Sequence, residues 1–150
     1  AAELKIVEQE LIFSSVDARD AVIYKGELAE NFDFAANLRQ KGPPERGGSY
    51  GFVLMGIDRK ILARFEFREK DGRFYLADKS GAPPAELPFD FNSRVLYQFR
   101  FRLRAGRLSF DLETIPLGSI VVPDGRALMG IFVCKASVAV EMVRLTVTNS

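Results

Sequence analysis

Apolar and polar residues alternate in short runs along most of this chain, and a period of two is typical of β-strands with one buried face. In residues 61–68 one face of the predicted strand is apolar, formed by Ile61, Ala63, Phe65 and Phe67. Residues 95–104 repeat the pattern, with an apolar face formed by Val95, Tyr97, Phe99, Phe101 and Leu103. Residues 31–39 alternate in the same way, so the chain is predicted to be built from many half-buried strands.

Two dipeptides predict tight hairpins between these strands. Asp71-Gly72 suits a two-residue turn in which both residues have positive φ, and it predicts that Phe67 lies opposite Leu76. Ala105-Gly106 predicts a second hairpin in which apolar residues face apolar residues and an acid faces a base. The pairs expected across it are Leu103–Leu108, Phe101–Phe110 and Arg100–Asp111.

The fold class follows from these elements. Residues 50–57 are apolar on both faces, which predicts a central strand covered on both sides. No long helix is evident in the sequence. We therefore predict an all-β fold, a two-sheet antiparallel β-sandwich of the jelly-roll type, forming one domain over residues 1–150 with residues 1–19 as a candidate peripheral segment.

Composition narrows the chemistry. The chain has a net charge of +1 and lacks His, so a nucleic-acid partner, Ser-His-Asp catalysis and imidazole metal sites are not expected. Trp is also absent, and a single Cys excludes an internal disulfide. No apolar stretch reaches the roughly 18 residues that a transmembrane helix needs.

Four segments carry a resemblance to a known superfamily. The early long strand of that superfamily is similar to residues 31–39, and its central meander is similar to residues 49–67, which include Gly51-Phe52-Val53-Leu54. Its strand–turn–strand unit is similar to residues 95–112, and its closing pair of strands is similar to the segment that begins with Gly130-Ile131-Phe132. Together they resemble the concanavalin A-like lectin/glucanase jelly roll, close to laminin G-like and pentraxin-like modules. The resemblance covers residues 20–148. Members include lectins, carbohydrate-binding modules, laminin-type interaction modules and glycosidases, and the fold alone does not choose among them. The prediction of a binding or interaction module comes from the residues that catalysis would need and that the chain lacks.

Catalysis is not expected from the acidic residues. The resemblance implies that a glucanase of this fold would carry its acids on one strand in an E-x-D-x-x-E pattern, which is absent here. Glu66 and Glu69 differ in parity, and Asp111 and Glu113 share a face but lie near Arg100. We predict that the chain is not an enzyme. The alternatives are a glycoside hydrolase of the same fold with a non-standard carboxylate pair, and a structural or oligomerisation domain, which an exposed apolar edge would favour.

Arginines on the polar faces of two strands are the predicted ligand-binding residues. Arg64, Arg68, Arg100 and Arg102 would form one cationic surface if their strands share a sheet. Such a surface suits a carbohydrate, especially an acidic one, or an acidic protein surface, whereas the alternative is an ordinary solvated face with paired charges. Two aromatic residues complete the predicted site: Tyr75 beside Arg68, and Tyr50, expected to be exposed next to Gly47-Gly48.

Cofactors and location are only weakly indicated. No cofactor is predicted, although Asp90, Asn92 and Asp124 are candidate Ca²⁺ ligands that turn formation alone also explains. The start Ala1-Ala2-Glu3 fits cleavage of a signal peptide, which would make the protein secreted or periplasmic, and it fits equally a segment cut from a longer chain. The compartment therefore stays open, the cytoplasm included.

Overall fold

The protein is a sandwich of two antiparallel sheets. The computed structural model describes residues 2–7, 10–41, 48–68, 72–78, 83–87 and 95–148. Within those ranges the secondary structure consists of strands and one 3₁₀ turn at Pro123–Gly125. The strands are β1 (Ala2–Val7), β2 (Glu10–Ser15), β3 (Ala21–Tyr24), β4 (Phe32–Gln40), β5 (Ser49–Met55), β6 (Ile61–Arg68), β7 (Arg73–Asp78), β8 (Ala85–Glu86), β9 (Tyr97–Arg104), β10 (Arg107–Leu112), β11 (Ile115–Val121), β12 (Leu128–Cys134) and β13 (Ala136–Val147).

The strand order defines two layers. Seven strands form sheet I in the order β1-β2-β13-β4-β9-β10-β11, and six form sheet II in the order β3-β12-β5-β6-β7-β8. All-β architecture and the antiparallel jelly-roll-like sandwich, both predicted from the alternation, are confirmed.

Alternating phenylalanines fill the space between the layers. The ring of Phe52 on β5 lies 5.0 Å from that of Phe99 and 4.9 Å from that of Phe101, both on β9. Phe65 on β6 lies 4.9 Å from Phe101. These rings are at most 2 % exposed, so the inward faces of sheets I and II form one aromatic core.

The hairpin at Ala105-Gly106 has the predicted register. Leu103 pairs with Leu108, and Arg100 pairs with Asp111. Ala105 has a φ of 51° and Gly106 a φ of 72°, as a two-residue turn with two left-handed positions requires.

The predicted register at Asp71-Gly72 is wrong by two residues. Arg68 pairs with Arg73 and Phe67 with Phe74, so the connection is longer than the two residues expected. A two-residue loop would have required Glu69 to face the core opposite Phe74. The observed register pairs two phenylalanines there instead, and because the shift is even, every core residue keeps its face.

The predicted burial is also wrong at the start of β6 and at Tyr50. A bulge between Leu54 and Met55 shifts the start of β6, so that Leu62 is buried and Ile61 is 41 % exposed, the reverse of the prediction. Tyr50, predicted to be an exposed ring, is 1 % exposed, and its ring lies 5.2 Å from that of Phe67. The reason is parity, since Tyr50 alternates with Phe52 along a strand that, as predicted, is central and covered.

The N-terminal segment divides into an edge and an interior part. Strand β1 is the edge of sheet I, whereas β2 lies between β1 and β13. Phe13 on β2 is 2 % exposed and belongs to the core. Residues 10–15 of the candidate peripheral segment are therefore integral to the sandwich.

Strand β5 needs glycine at position 51, where β6 approaches closely. Gly51 has a φ of +153°, and an added Cβ would lie 1.9 Å from the carbonyl oxygen of Phe65. We expect Gly51→Ala to lower the free energy of unfolding by more than about 3 kcal/mol in urea denaturation, because β5 and β6 would have to separate at their centre. The control is Gly72→Ala, where φ is +66° but the added Cβ contacts nothing within 4 Å, with an expected cost of about 1 to 2 kcal/mol. Equal costs at both positions would contradict the close approach.

Candidate functional site

Strand β9 places a row of arginines on the outer face of sheet I. Its apolar residues pack into the core, so the alternate residues Arg100, Arg102 and Arg104 point away from sheet II. Because β9 lies between β4 and β10, the row crosses the interior of the face and not its edge. The three side chains are 49 %, 47 % and 41 % exposed, so a ligand can reach them.

One carboxylate on the neighbouring strand serves all three arginines. The Nε of Arg102 donates a hydrogen bond of 2.7 Å to Asp33 Oδ1, and a terminal nitrogen of Arg104 donates one of 2.9 Å to Oδ2. A terminal nitrogen of Arg100 lies 3.7 Å from Oδ1. Partial burial would raise the pKa of Asp33, but the hydrogen bonds from Arg102 and Arg104 outweigh it and hold that pKa below its ordinary value.

A groove crosses the same face beside this row. It has a volume of about 280 Å³ and is lined by Asp33, Ala35, Gln98, Arg100, Arg144 and Thr146. Ala35 on β4 pairs with Arg100 on one side and with Arg144 of β13 on the other, so a methyl group forms the floor between two arginines. With neighbouring strands about 4.8 Å apart, the backbones of the two arginines are about 10 Å apart.

A side-chain amide that can hydrogen-bond to a ligand lies next to the groove. Asn37 on β4 is opposite Gln98, and its buried side-chain oxygen has no hydrogen-bond partner among the residues that the structure describes. Amide groups of this kind suit the donors and acceptors of hydroxyl groups.

The outer face of sheet II holds a second arginine cluster with a different character. Glu66 is 7 % exposed and accepts hydrogen bonds from the Nε of Arg64 at 2.9 Å and from the Nε of Arg68 at 2.8 Å. Arg64 is also bonded to Asp20, and its guanidinium lies 3.9 Å from the ring centre of Phe132. Arg68 stacks 4.4 Å from the ring centre of Tyr75, where the sequence placed that aromatic residue. The guanidinium groups of Arg64 and Arg68 are therefore already paired with carboxylates and aromatic rings of the protein itself.

The expected single cationic surface does not exist. Arg64 and Arg68 lie on the outer face of sheet II, whereas Arg100 and Arg102 lie on the outer face of sheet I, on the opposite side of the sandwich. Strands β6 and β9 each have the predicted polar face. They belong to different sheets, however, because pairing with distant strands decides the sheet in which each strand lies.

The charge balance differs between the two faces. On the outer face of sheet I, seven basic residues accompany five carboxylates, leaving an excess of two positive charges, since 7 − 5 = 2. The basic residues are Lys5, Arg39, Arg100, Arg102, Arg104, Arg107 and Arg144, and the acidic ones are Glu3, Glu10, Asp33, Asp111 and Glu141. On sheet II, Arg64 and Arg68 are matched by Glu66 and Asp20. The face of sheet I is therefore the stronger candidate for an anionic ligand.

Arg144 was missed by sequence reasoning because β13 is irregular. A register shift occurs between Glu141 and Arg144, and Met142 has a φ of 49°. Simple alternation from the buried Val140 would have turned position 144 inward. The bulge turns Arg144 outward instead and allows Leu145 to pack against the core.

The candidate Ca²⁺ ligands are not brought together in the part of the chain that the structure describes. Asp124 is exposed in the 3₁₀ turn at a φ of 65°, and Asp90 and Asn92 lie outside the described residues. Over the described ranges no group of three His, Cys, Asp or Glu side chains could hold a metal ion. The Ca²⁺ site stays a prediction.

Sequence comparisons leave the family open. No family model matches the sequence, and no curated protein matches it.

Among the described residues, no helix has the length and apolar character required to cross a membrane.

Comparison with solved structures shows the fold. The chain is similar to a sialidase, with a TM-score of 0.78 and 13 % identity over 99 % of this chain but 16 % of that one. It is similar to the carbohydrate-binding module CBM66 from Bacillus subtilis, with a TM-score of 0.70 and 15 % identity over 97 % of this chain and 91 % of that one. It is also similar to the alginate lyase AlyC3 in complex with dimannuronate, with a TM-score of 0.71 and 10 % identity over 94 % of this chain and 76 % of that one. The predicted jelly-roll β-sandwich fold is thus confirmed.

The lowered pKa of Asp33 predicts a pH dependence of stability. A carboxyl whose pKa is depressed by folding stabilises the protein above its unfolded pKa, about 3.9, and that stabilisation is lost as the pH falls through the folded value. We expect Asp33→Asn to be less stable than the wild type at pH 7, with the difference shrinking below about pH 4. Chemical denaturation of both proteins between about pH 2 and pH 7 measures this, and a difference that is independent of pH would contradict the assignment.

Proposed function

We propose that this chain is a non-catalytic carbohydrate-binding module and that the outer face of sheet I binds an acidic glycan. The observation that carries the proposal is the excess of arginine over carboxylate on an exposed, grooved face. Planar guanidinium groups complement carboxylates in two-point hydrogen bonds, which makes a sugar acid a better match than a neutral sugar.

The residues that line the groove would contact different groups of the glycan. Arg100 and Arg144 flank the floor at Ala35, so one guanidinium from each side can reach a carboxylate of a sugar ring that lies on the methyl group. Gln98 and Thr146 supply donors and acceptors for hydroxyl groups. Arg102 and Arg104 remain bound to Asp33 and extend the positive potential along the face.

Similar structures support this ligand class. The alginate lyase AlyC3 is described in complex with dimannuronate, an acidic disaccharide, and CBM66 is described as a carbohydrate-binding module. Both share the jelly-roll fold with this chain, and neither likeness assigns a ligand to it.

Three features favour binding over catalysis. The chain has no His, the residue most often used as a general acid or base. The pKa of Asp33 is lowered, whereas a carboxyl that donates a proton near pH 7 needs a raised one. Glu113, predicted to share a strand face with Asp111, instead lies after the end of β10 with a φ of 51°, so these two acids do not form the expected pair on one strand.

Arginine substitutions in the groove test the proposal. By isothermal titration calorimetry at low salt we expect binding of oligomannuronate and no binding of a neutral manno-oligosaccharide of the same length. Arg100→Ala and Arg144→Ala should each weaken affinity about 10-fold, which corresponds to about 1.4 kcal/mol. Added salt should weaken binding of the wild type, because the interaction is between charges near the surface.

The matched control is Arg73→Ala. Arg73 is an exposed arginine on sheet II that pairs with Glu86, so its removal changes the net charge equally without touching the groove. The proposal fails if Arg100→Ala and Arg144→Ala retain the affinity of the wild type, or if Arg73→Ala weakens binding as much as they do.

The second candidate is a polysaccharide lyase, because alginate lyases share this fold. Incubation of the same oligomannuronate with the protein distinguishes the two candidates, since a lyase produces unsaturated uronates that absorb ultraviolet light. Binding without such a product supports the module, whereas a product whose formation is lost in Arg100→Ala would establish an enzyme.

A further inference from the structure

Among the residues that the structure describes, strand β1 is an edge of sheet I that pairs with β2 alone, and its apolar side is exposed. Leu4 pairs with Phe13 and Ile6 with Leu11, so both face the same side of sheet I as the core. They are nevertheless 52 % and 75 % exposed. Strand β1 therefore extends beyond the area that sheet II covers. The backbone groups on its outer edge and the side chains of Leu4 and Ile6 are accessible to another strand.

The other sheet edges are shorter or interrupted. Strand β11 contains Pro116, which cannot donate a ladder hydrogen bond, and its pairing with β10 is irregular. The edges of sheet II are β3, with four residues, and β8, with two. Strand β1 has six residues and neither Pro nor Gly, so it is the edge best suited to pair with another strand.

The sequence of β1 is complementary to itself. In an antiparallel pair of two copies with the two-fold axis at Leu4, Glu3 of each copy lies opposite Lys5 of the other, and Leu4 lies opposite Leu4. Ala2 lies opposite Ile6 on the apolar side. Within one copy the Nζ of Lys5 is 3.5 Å from Glu3 Oε2, and the side chains of Lys5 and Glu3 are 59 % and 63 % exposed. An exposed ion pair of this kind contributes little stability, so its two charges can exchange it for pairs across an interface.

Neighbouring registers are less favourable. Centring the pair on Lys5 or on Glu3 places like charges opposite each other, which destabilises a strand pair. Placing the two-fold axis midway between two residues, for example between Leu4 and Lys5, sets an apolar side chain opposite a charged one. The register at Leu4 satisfies both faces of the strand.

We propose that two copies of this chain associate through β1 in this register and join two seven-stranded sheets into one continuous sheet. A contact limited to six residues per copy is small compared with stable interfaces, so the association is weak and depends on concentration.

Charge reversal tests the interface and its register. Sedimentation equilibrium from about 10 µM to about 1 mM should show a monomer–dimer equilibrium for the wild type. Lys5→Glu places acids opposite acids and Glu3→Lys places bases opposite bases, so each should raise the dimer dissociation constant at least about 10-fold. A mixture of the two variants should form the heterodimer, because every pair across the interface is then of opposite charge.

The control is Lys60→Glu, at an exposed position in the β5–β6 turn, which should dimerise as the wild type does. Exchange of both charges in one chain, Glu3→Lys with Lys5→Glu, should also preserve the dimer, and it guards against loss of folding in the single variants. A monomeric wild type at about 1 mM, a dimer that survives Lys5→Glu, or a mixture that stays monomeric would each overturn the proposal.

Discussion

Aromatic packing between the two sheets is the interaction on which the rest of the structure depends. Phe52 in the centre of sheet II contacts both Phe99 and Phe101 of β9, which fixes the two layers against each other. Large inward rings must alternate with outward residues along each strand. On β6 and β9 those outward positions are mostly arginine, so the packing of the core determines where the surface charge lies.

The two strands distribute that charge differently. On β6 the outward row is Arg64, Glu66 and Arg68, and the central carboxylate binds both guanidinium groups. On β9 the middle position is Arg102, so its row depends on Asp33 of the adjacent strand, and one carboxylate cannot neutralise three arginines. The residue at the centre of each row, Glu66 on β6 and Arg102 on β9, therefore decides how many guanidinium groups on that face are matched by a carboxylate.

Local features of the fold could be predicted from the sequence, and long-range features could not. The faces of β9 and the register at Ala105-Gly106 follow from alternation and turn chemistry, and both are confirmed. The register after Arg68 was predicted wrongly because Asp71-Gly72 favours a two-residue loop, whereas the observed pairing sets Phe67 opposite Phe74. Division of the arginines between two sheets depends on pairing of distant strands, and the outward position of Arg144 depends on a bulge that simple periodicity does not indicate.

The proposed binding of an acidic glycan to the outer face of sheet I can be followed residue by residue in solution. The most direct test is nuclear magnetic resonance mapping, in which backbone amide shifts are followed as oligomannuronate is added. We expect the largest shift changes on Gln98, Arg100, Arg144 and Thr146, which line the groove. Largest changes around Arg68 and Tyr75 on sheet II, or no changes at millimolar ligand, would contradict it.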